Sequence, residues 1–341
     1  MRPGRILAAV AFLALAGLAS WATSSPAAQD TSGLAAMKAA YRHPDPIEYP
    51  EDNPFSEAKE KLGRKLFFDQ ILSLSRTYSC ASCHNPDLGW SDGLRKAIGF
   101  SGAELSLHAP TLLNIAWIPI LGWDGRFQDL ESVTFAPISA PLNMGLPKQM
   151  LIDRLTADPA YVSAFTEAFG KPEITERTIE QALTTFERTI ISDESPFDRW
   201  IGGDEGAISD AAKRGFALFN GHAHCAECHA GWAFTDGSFH DIGVARGDDL
   251  GRGRFFPSSV KLQYAFKTPT LRDVAKRAPY MHDGSVPTLK AVVDHYDQGG
   301  IERPSRAEPI MKLQLSVREK SDLVAFLKTL TGDRAKPVEP H

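Results

Sequence analysis

Apolar residues recur at helical spacing in two separate parts of the chain. Ile174, Ile179, Leu183, Phe186 and Ile190 form one stripe, and Leu323, Phe326, Leu327 and Leu330 form another. Such spacing places side chains on one helix face and marks helices packed on a core. Ser316 and Glu319 make a capping box ahead of the second stripe, and Gly332 supplies a stop. Two shorter blocks share their spacing: Gly63, Leu66 and Phe67 in the first half, Gly215, Leu218 and Phe219 in the second. Alternating strand patterns are few. The pattern therefore predicts a mainly α protein of two similar halves, with long irregular stretches over 85–150 and 230–310. Residues 30–60 hold His43-Pro44-Asp45-Pro46, Tyr49-Pro50 and Asn53-Pro54, which read as an irregular lead-in because proline opposes regular helix. Ser192 to Pro196 and then Gly202-Gly203 place a boundary near 195–208, dividing 29–200 from 201–341.

The first residues change the picture of where the chain works. Arg2 and Arg5 precede an apolar run from Ile6 to Leu18, and small residues follow to Ala28. Residues 1–28 read as a signal peptide for export. The run is shorter than the roughly 20 residues of a spanning helix, so no membrane span is expected after cleavage, and the expected location is the periplasm. A chain of 341 residues accommodates two domains of ordinary size. Its net charge of -5, without a basic stripe, gives no reason to expect nucleic-acid binding.

All four cysteines fall in two C-x-x-C-H motifs, Cys80-Ala81-Ser82-Cys83-His84 and Cys225-Ala226-Glu227-Cys228-His229. Two thiols at this spacing reach the two vinyl groups of one haem, and the adjacent histidine is delivered beneath the iron. A zinc site or a redox disulfide could also use cysteine pairs. The trailing histidine on both pairs, in an exported chain, favours two covalently bound c-type haems. His84 and His229 are the expected proximal ligands. The sixth ligands decide the function, because an iron with an open position can bind peroxide. For the second haem, Met281, His282, His295 and Tyr296 lie downstream, and spacing alone favours Met281. For the first, the chain offers His108 and Met144.

With these motifs stand Ala109-Pro110-Thr111-Leu112-Leu113-Asn114, Trp123-Asp124-Gly125-Arg126, Thr268-Pro269-Thr270-Leu271-Arg272 and Pro279-Tyr280-Met281-His282-Asp283-Gly284. Together they resemble the bacterial dihaem cytochrome c peroxidases and their MauG-like relatives over most of the mature chain. The resemblance implies two cytochrome c-like domains, with a peroxide-reacting haem in the first and an electron-transfer haem in the second. It puts Trp123 between the haems. Counting from Pro279, it makes Tyr296 the sixth ligand of the second haem, in place of Met281. Members of the family often bind calcium between the haems through an asparagine side chain; His108 stands near that place, a departure that counts against calcium here. The Gln and Glu of the classical peroxide pocket correspond to Val133 and Asn143; Gln128, Asp129 and Glu131 are possible substitutes. A loop histidine that closes the first haem in many members corresponds to Phe100.

A tyrosine ligand and a pocket without its Glu are similar to the MbnH branch of the MauG-like enzymes. That branch implies peroxide-dependent oxidation of a tryptophan, to kynurenine, in a small periplasmic copper-binding partner protein, with the oxidising equivalents shared between two haems. The alternatives are a peroxidase that reduces hydrogen peroxide with electrons from a small redox donor protein, and an electron carrier with no enzymatic activity. Trp200 and Trp232 are open to two readings, relay or packing.

Overall fold

The computed structural model describes residues 27–44 and 46–332. The signal peptide expected over 1–28 lies almost wholly outside them. The described residues fall into two units: 27–37, which are helical, and 38–44 with 46–332, which form one compact body. The α-helices are α1 (Ala27–Ala39), α2 (Glu57–Phe68), α3 (Leu130–Ser139), α4 (Lys148–Thr156), α5 (Pro159–Phe169), α6 (Glu176–Arg188), α7 (Pro196–Ile201), α8 (Asp210–Asn220), α9 (Leu289–Gln298) and α10 (Val317–Thr329). Among the described residues a two-stranded antiparallel ribbon, β1 (Phe239–His240) with β2 (Phe266–Lys267), and several short 3-10 turns stand beside these helices.

The mainly α expectation holds. The two apolar stripes are α6 and α10, and Ser316 caps α10 with Glu319 answering its backbone N–H. The irregular stretches are less irregular than their sequence suggests. α3, the start of α4, and α9 lie within them, and α1 continues to Ala39 before the prolines stop it. The boundary region near 195–208 folds as α7, capped by Ser195 with Pro196 in the first turn.

Each half is built on one crossing of two helices at a glycine. α2 meets α6 at Gly63, and α8 meets α10 at Gly215. A β-carbon at Gly63 would stand 1.9 Å from the Ala182 carbonyl oxygen, and one at Gly215 would stand 2.0 Å from that of Asp322. Only hydrogen fits at these contacts. Gly215→Ala should gain about 1 kcal/mol of helix propensity but lose up to about 3 kcal/mol to overpacking. The expected net effect is a lower midpoint in thermal unfolding of the haem-loaded protein. An unchanged or higher midpoint would show that the crossing can open at no cost.

A second correspondence links the halves, in unbroken register from 108–139 to 267–298. Pro110-Thr111-Leu112 matches Pro269-Thr270-Leu271, and left-handed Asn114 (φ 62°) matches left-handed Asp273 (φ 55°). The bridge Leu121–Phe127 matches Tyr280–Val286, and α3 matches α9 residue for residue. The two copies meet through reciprocal backbone hydrogen bonds. His108 N–H donates to the His282 carbonyl at 2.9 Å, and the matching Lys267 N–H donates to the Trp123 carbonyl at 2.8 Å. Trp123 and His282 are themselves a matched pair, so the contact is a local two-fold.

Candidate functional site: two haem chambers

Both C-x-x-C-H motifs form a single 3-10 turn, Cys80–Ser82 and Cys225–Glu227, directly followed by the histidine. His84 Nδ1 lies 3.2 Å from the Trp90 carbonyl, and His229 Nδ1 lies 2.8 Å from that of Phe234. These carbonyls are turned inward by a left-handed backbone at Trp90 (φ 60°) and Phe234 (φ 52°). Such a conformation costs a non-glycine residue about 1–2 kcal/mol, and strain of this kind persists where the surroundings impose it. Burial holds both imidazoles neutral, with their pKa below the usual histidine range. A neutral ring that donates from Nδ1 keeps the Nε2 lone pair for a metal.

The second chamber is a large apolar cavity. Cys225, Cys228, His229 and Tyr296 line it, with Phe219, Leu323 and Leu327 from α8 and α10 and with Met281 from the loop before α9. Tyr296 sits on α9, and its hydroxyl meets no protein hydrogen-bond partner among the described residues. Burial, with Cys225 and Cys228 nearby, holds the phenol well above the usual tyrosine range. A cation at the oxygen would reverse that preference. Two cations also face this cavity. Lys267 donates to the Ile120 carbonyl, and burial lowers its pKa to about 8. Arg277 donates to the Thr270 carbonyl, leaves its Nε without an acceptor, and is lowered to about 10, again chiefly by burial. Neither has a carboxylate within ion-pair distance among the described residues. Buried cations need anionic partners, and the two propionates of a haem meet that need. The chamber thus fits the group that its motif implies.

Trp123 lines the same cavity from the first half, its indole N–H donating to the His108 carbonyl at 2.8 Å. Pro110, from the same first-half stretch, lines the cavity and lies against buried His84. The wall that carries Trp123 therefore runs from one motif to the other. His108, buried, has Nδ1 2.7 Å from the Leu94 carbonyl and Nε2 3.2 Å from Ser91 Oγ. Its ring is committed to the loop and offers no nitrogen to calcium. Cys228, Asp236 and His240 converge closely enough to hold a metal, but a thioether at Cys228 removes that sulfur from the set.

The register between the halves sets α3 against α9. Pro137 in α3 takes the place that Tyr296 takes in α9, and proline has no donor atom for a metal. Phe100 stands beside the loop that follows α3: its N–H donates to the Asn143 carbonyl, and its ring packs on Gly145. Val133 packs with Ile115, Leu121 and Leu130. Of the possible substitutes, Gln128 and Asp129 are exposed, and Asp129 caps α3. Glu131 accepts from both Arg188 guanidinium nitrogens at 3.0 Å, against burial that opposes its charge. Met144 is buried in the hydrophobic core. Trp200 is buried, with its N–H on Glu205 and Lys38 over its ring. Trp232 packs on Trp117 at 5.0 Å and on exposed His43 at 4.2 Å.

Residues 57–206 match the family model of the di-haem cytochrome c peroxidases, and residues 212–331 match that of cytochrome c. The chain is 50% identical to the methylamine utilization protein MauG of Methylorubrum extorquens, over 95% of this chain and 91% of that one. It belongs to the dihaem cytochrome c peroxidase and MauG family. Cytochrome c551 peroxidase of Pseudomonas aeruginosa is 31% identical over 87% of this chain and 85% of its own. Among solved structures, a MauG-like protein associated with microbial copper homeostasis superposes with a TM-score of 0.79 at 33% identity, covering 85% of this chain and 94% of that one. The chain is a MauG-like dihaem oxidoreductase with two covalent c-type haems, one at each cysteine pair. No helix among the described residues is long and apolar enough to cross a membrane.

Proposed function

We propose that this protein uses hydrogen peroxide in the periplasm to oxidise a tryptophan of a partner protein. The observation that carries this reading is the difference between matched positions of α3 and α9: Tyr296 lines the second chamber, and Pro137, with no donor atom, stands at its counterpart. In this reading residues 29–200 form the peroxide-reacting domain and residues 201–341 the second haem domain. Haem iron, when bound, supplies the redox chemistry of the peroxide reaction. His84 and His229 would hold the two irons through Nε2, and Tyr296 would offer its phenol oxygen as a further ligand at the second haem. Phe100 and Pro137 keep the first site open to peroxide. Lys267 and Arg277 neutralise propionates. Trp123, on the wall shared by both motifs, offers an indole through which electrons pass between the halves. The partner's tryptophan gives up its electrons at a distance.

Identity favours a partner from a methylamine-utilizing system over a copper-binding protein, since the methylamine utilization protein stands at 50% and the copper-associated one at 33%. The test mixes the haem-loaded protein and peroxide with purified candidate partners and maps added oxygen by peptide mass analysis. Oxidation confined to tryptophan of one partner is expected. Rapid peroxide consumption at the expense of a reduced small cytochrome, with every partner unaltered, would assign the chain to peroxide removal instead.

A further inference from the structure

The glycine crossings set α6 and α10 in register. The Ala182 carbonyl and Phe186 Cβ stand against Gly63 as the Asp322 carbonyl and Phe326 Cβ stand against Gly215. Leu183 then matches Leu323, and Glu187 matches Leu327. Leu323 and Leu327 both line the second chamber. A carboxyl therefore occupies, on the first-haem wall, the place that a leucine fills on the second. Cys80 is near enough to respond to its charge and packs against the core that contains Leu183, Phe186 and Ile190.

Glu187 is poorly provided for as a carboxylate. Among the described residues its carboxyl meets no hydrogen-bond donor and no ion-pair partner. Arg188, next along α6, is engaged by Glu131 of α3. From α2, Arg64 lies over the rings of Phe68 and Phe186, at 5.7 and 5.9 Å. The neighbouring Cys80 sulfur is neutral as a thioether. Glu187 also sits in the last turn of α6, where the helix dipole disfavours negative charge. Burial dominates and lifts its pKa to about 8, with Arg188 opposing and Glu131 adding.

We propose that Glu187 is a redox-linked proton site of the first haem, protonated while the iron is ferrous and ionised when the iron becomes ferric. The step balances as one electron leaving the iron for an electrode or a one-electron acceptor protein, and one proton leaving the Glu187 carboxyl for solvent. The carboxylate left behind offsets the positive charge gained by the iron, which in a low-dielectric interior is otherwise expensive. The coupling rests on the first haem at Cys80 and Cys83 and on no property of the partner protein.

The test is a spectroelectrochemical titration of the haem-loaded protein at a series of pH values on both sides of about 8. In wild type the first-haem potential should fall with rising pH, approaching about 59 mV per unit for a one-proton, one-electron couple, and level off above the Glu187 pKa. Glu187→Gln, and Glu187→Leu, which copies the other half, should flatten that slope and leave the second haem's pH dependence as it was. Infrared difference spectra of wild type should show loss of a protonated carboxyl band on oxidation, a band absent in Glu187→Gln. A flat wild-type titration, the same slope in both variants, or no carboxyl change in wild type would overturn the proposal. Because no partner is present, failure of the tryptophan reading leaves these results unaffected.

Discussion

Trp123→Phe is expected to retain both haems and to lose peroxide-dependent oxidation of the partner by on the order of a hundredfold or more, the scale on which small misplacements of a reacting group act. The indole stands on the stretch that runs from His84, through Pro110, to the second chamber, and it is held there by its bond to the His108 carbonyl. Phenylalanine fills most of the volume but removes the N–H and a side chain much easier to oxidise. The peroxide-oxidised state should shorten in the same variant, since equivalents confined to one half are lost sooner. Rapid-mixing spectroscopy with iron-specific detection measures that lifetime, and mass analysis of the partner measures the yield. Wild-type yield in Trp123→Phe would remove this residue from the path while leaving the haem assignment in place.

Tyr296→Phe should change the spin and ligand state of the second haem outright, and Met281→Leu should not. Both side chains line the chamber, so proximity does not separate them. Their settings do. Tyr296 projects from α9 with its hydroxyl uncommitted, in the turn where the matched α3 carries Pro137. Met281 sits in a loop at a left-handed φ of 75°, and its match in the first half is Gly122. Electron paramagnetic resonance of the oxidised variants reads the difference. A changed signal in Met281→Leu with an unchanged one in Tyr296→Phe would restore methionine as the ligand.

Much of this was legible in the chain. The C-x-x-C-H motifs carry their chemistry in five residues, and α6 and α10 announce themselves because each buries one continuous stripe. α3 and α9 do not. Each is ten residues long; α3 contains a proline, and α9 contains adjacent β-branched valines, so local propensity argues against both. They fold because capped first turns and tertiary packing override it. The repeat from 108–139 to 267–298 was hidden for a related reason. Its shared identities are few, and what it preserves is backbone conformation, at Asn114 and Asp273 and at the two bridged loops. Glu187 escaped notice because the residues around it read as plain core. Phe100 and Asn143, read as separate departures from a family pattern, turn out to be neighbours across one loop contact.

The reciprocal bonds of His108 to His282 and of Lys267 to Trp123 make the junction between the halves nearly symmetric. A symmetric junction has no polarity: charge arriving on either side would have no preferred destination. In the proposed function, polarity would come from particular matched positions where the halves differ. Pro137 against Tyr296, Trp123 against His282, and Glu187 against Leu327 are three such differences, and the variants at Trp123, Tyr296 and Glu187 test them. On that reading, a frame able to pass charge either way would be given its direction by these three differences.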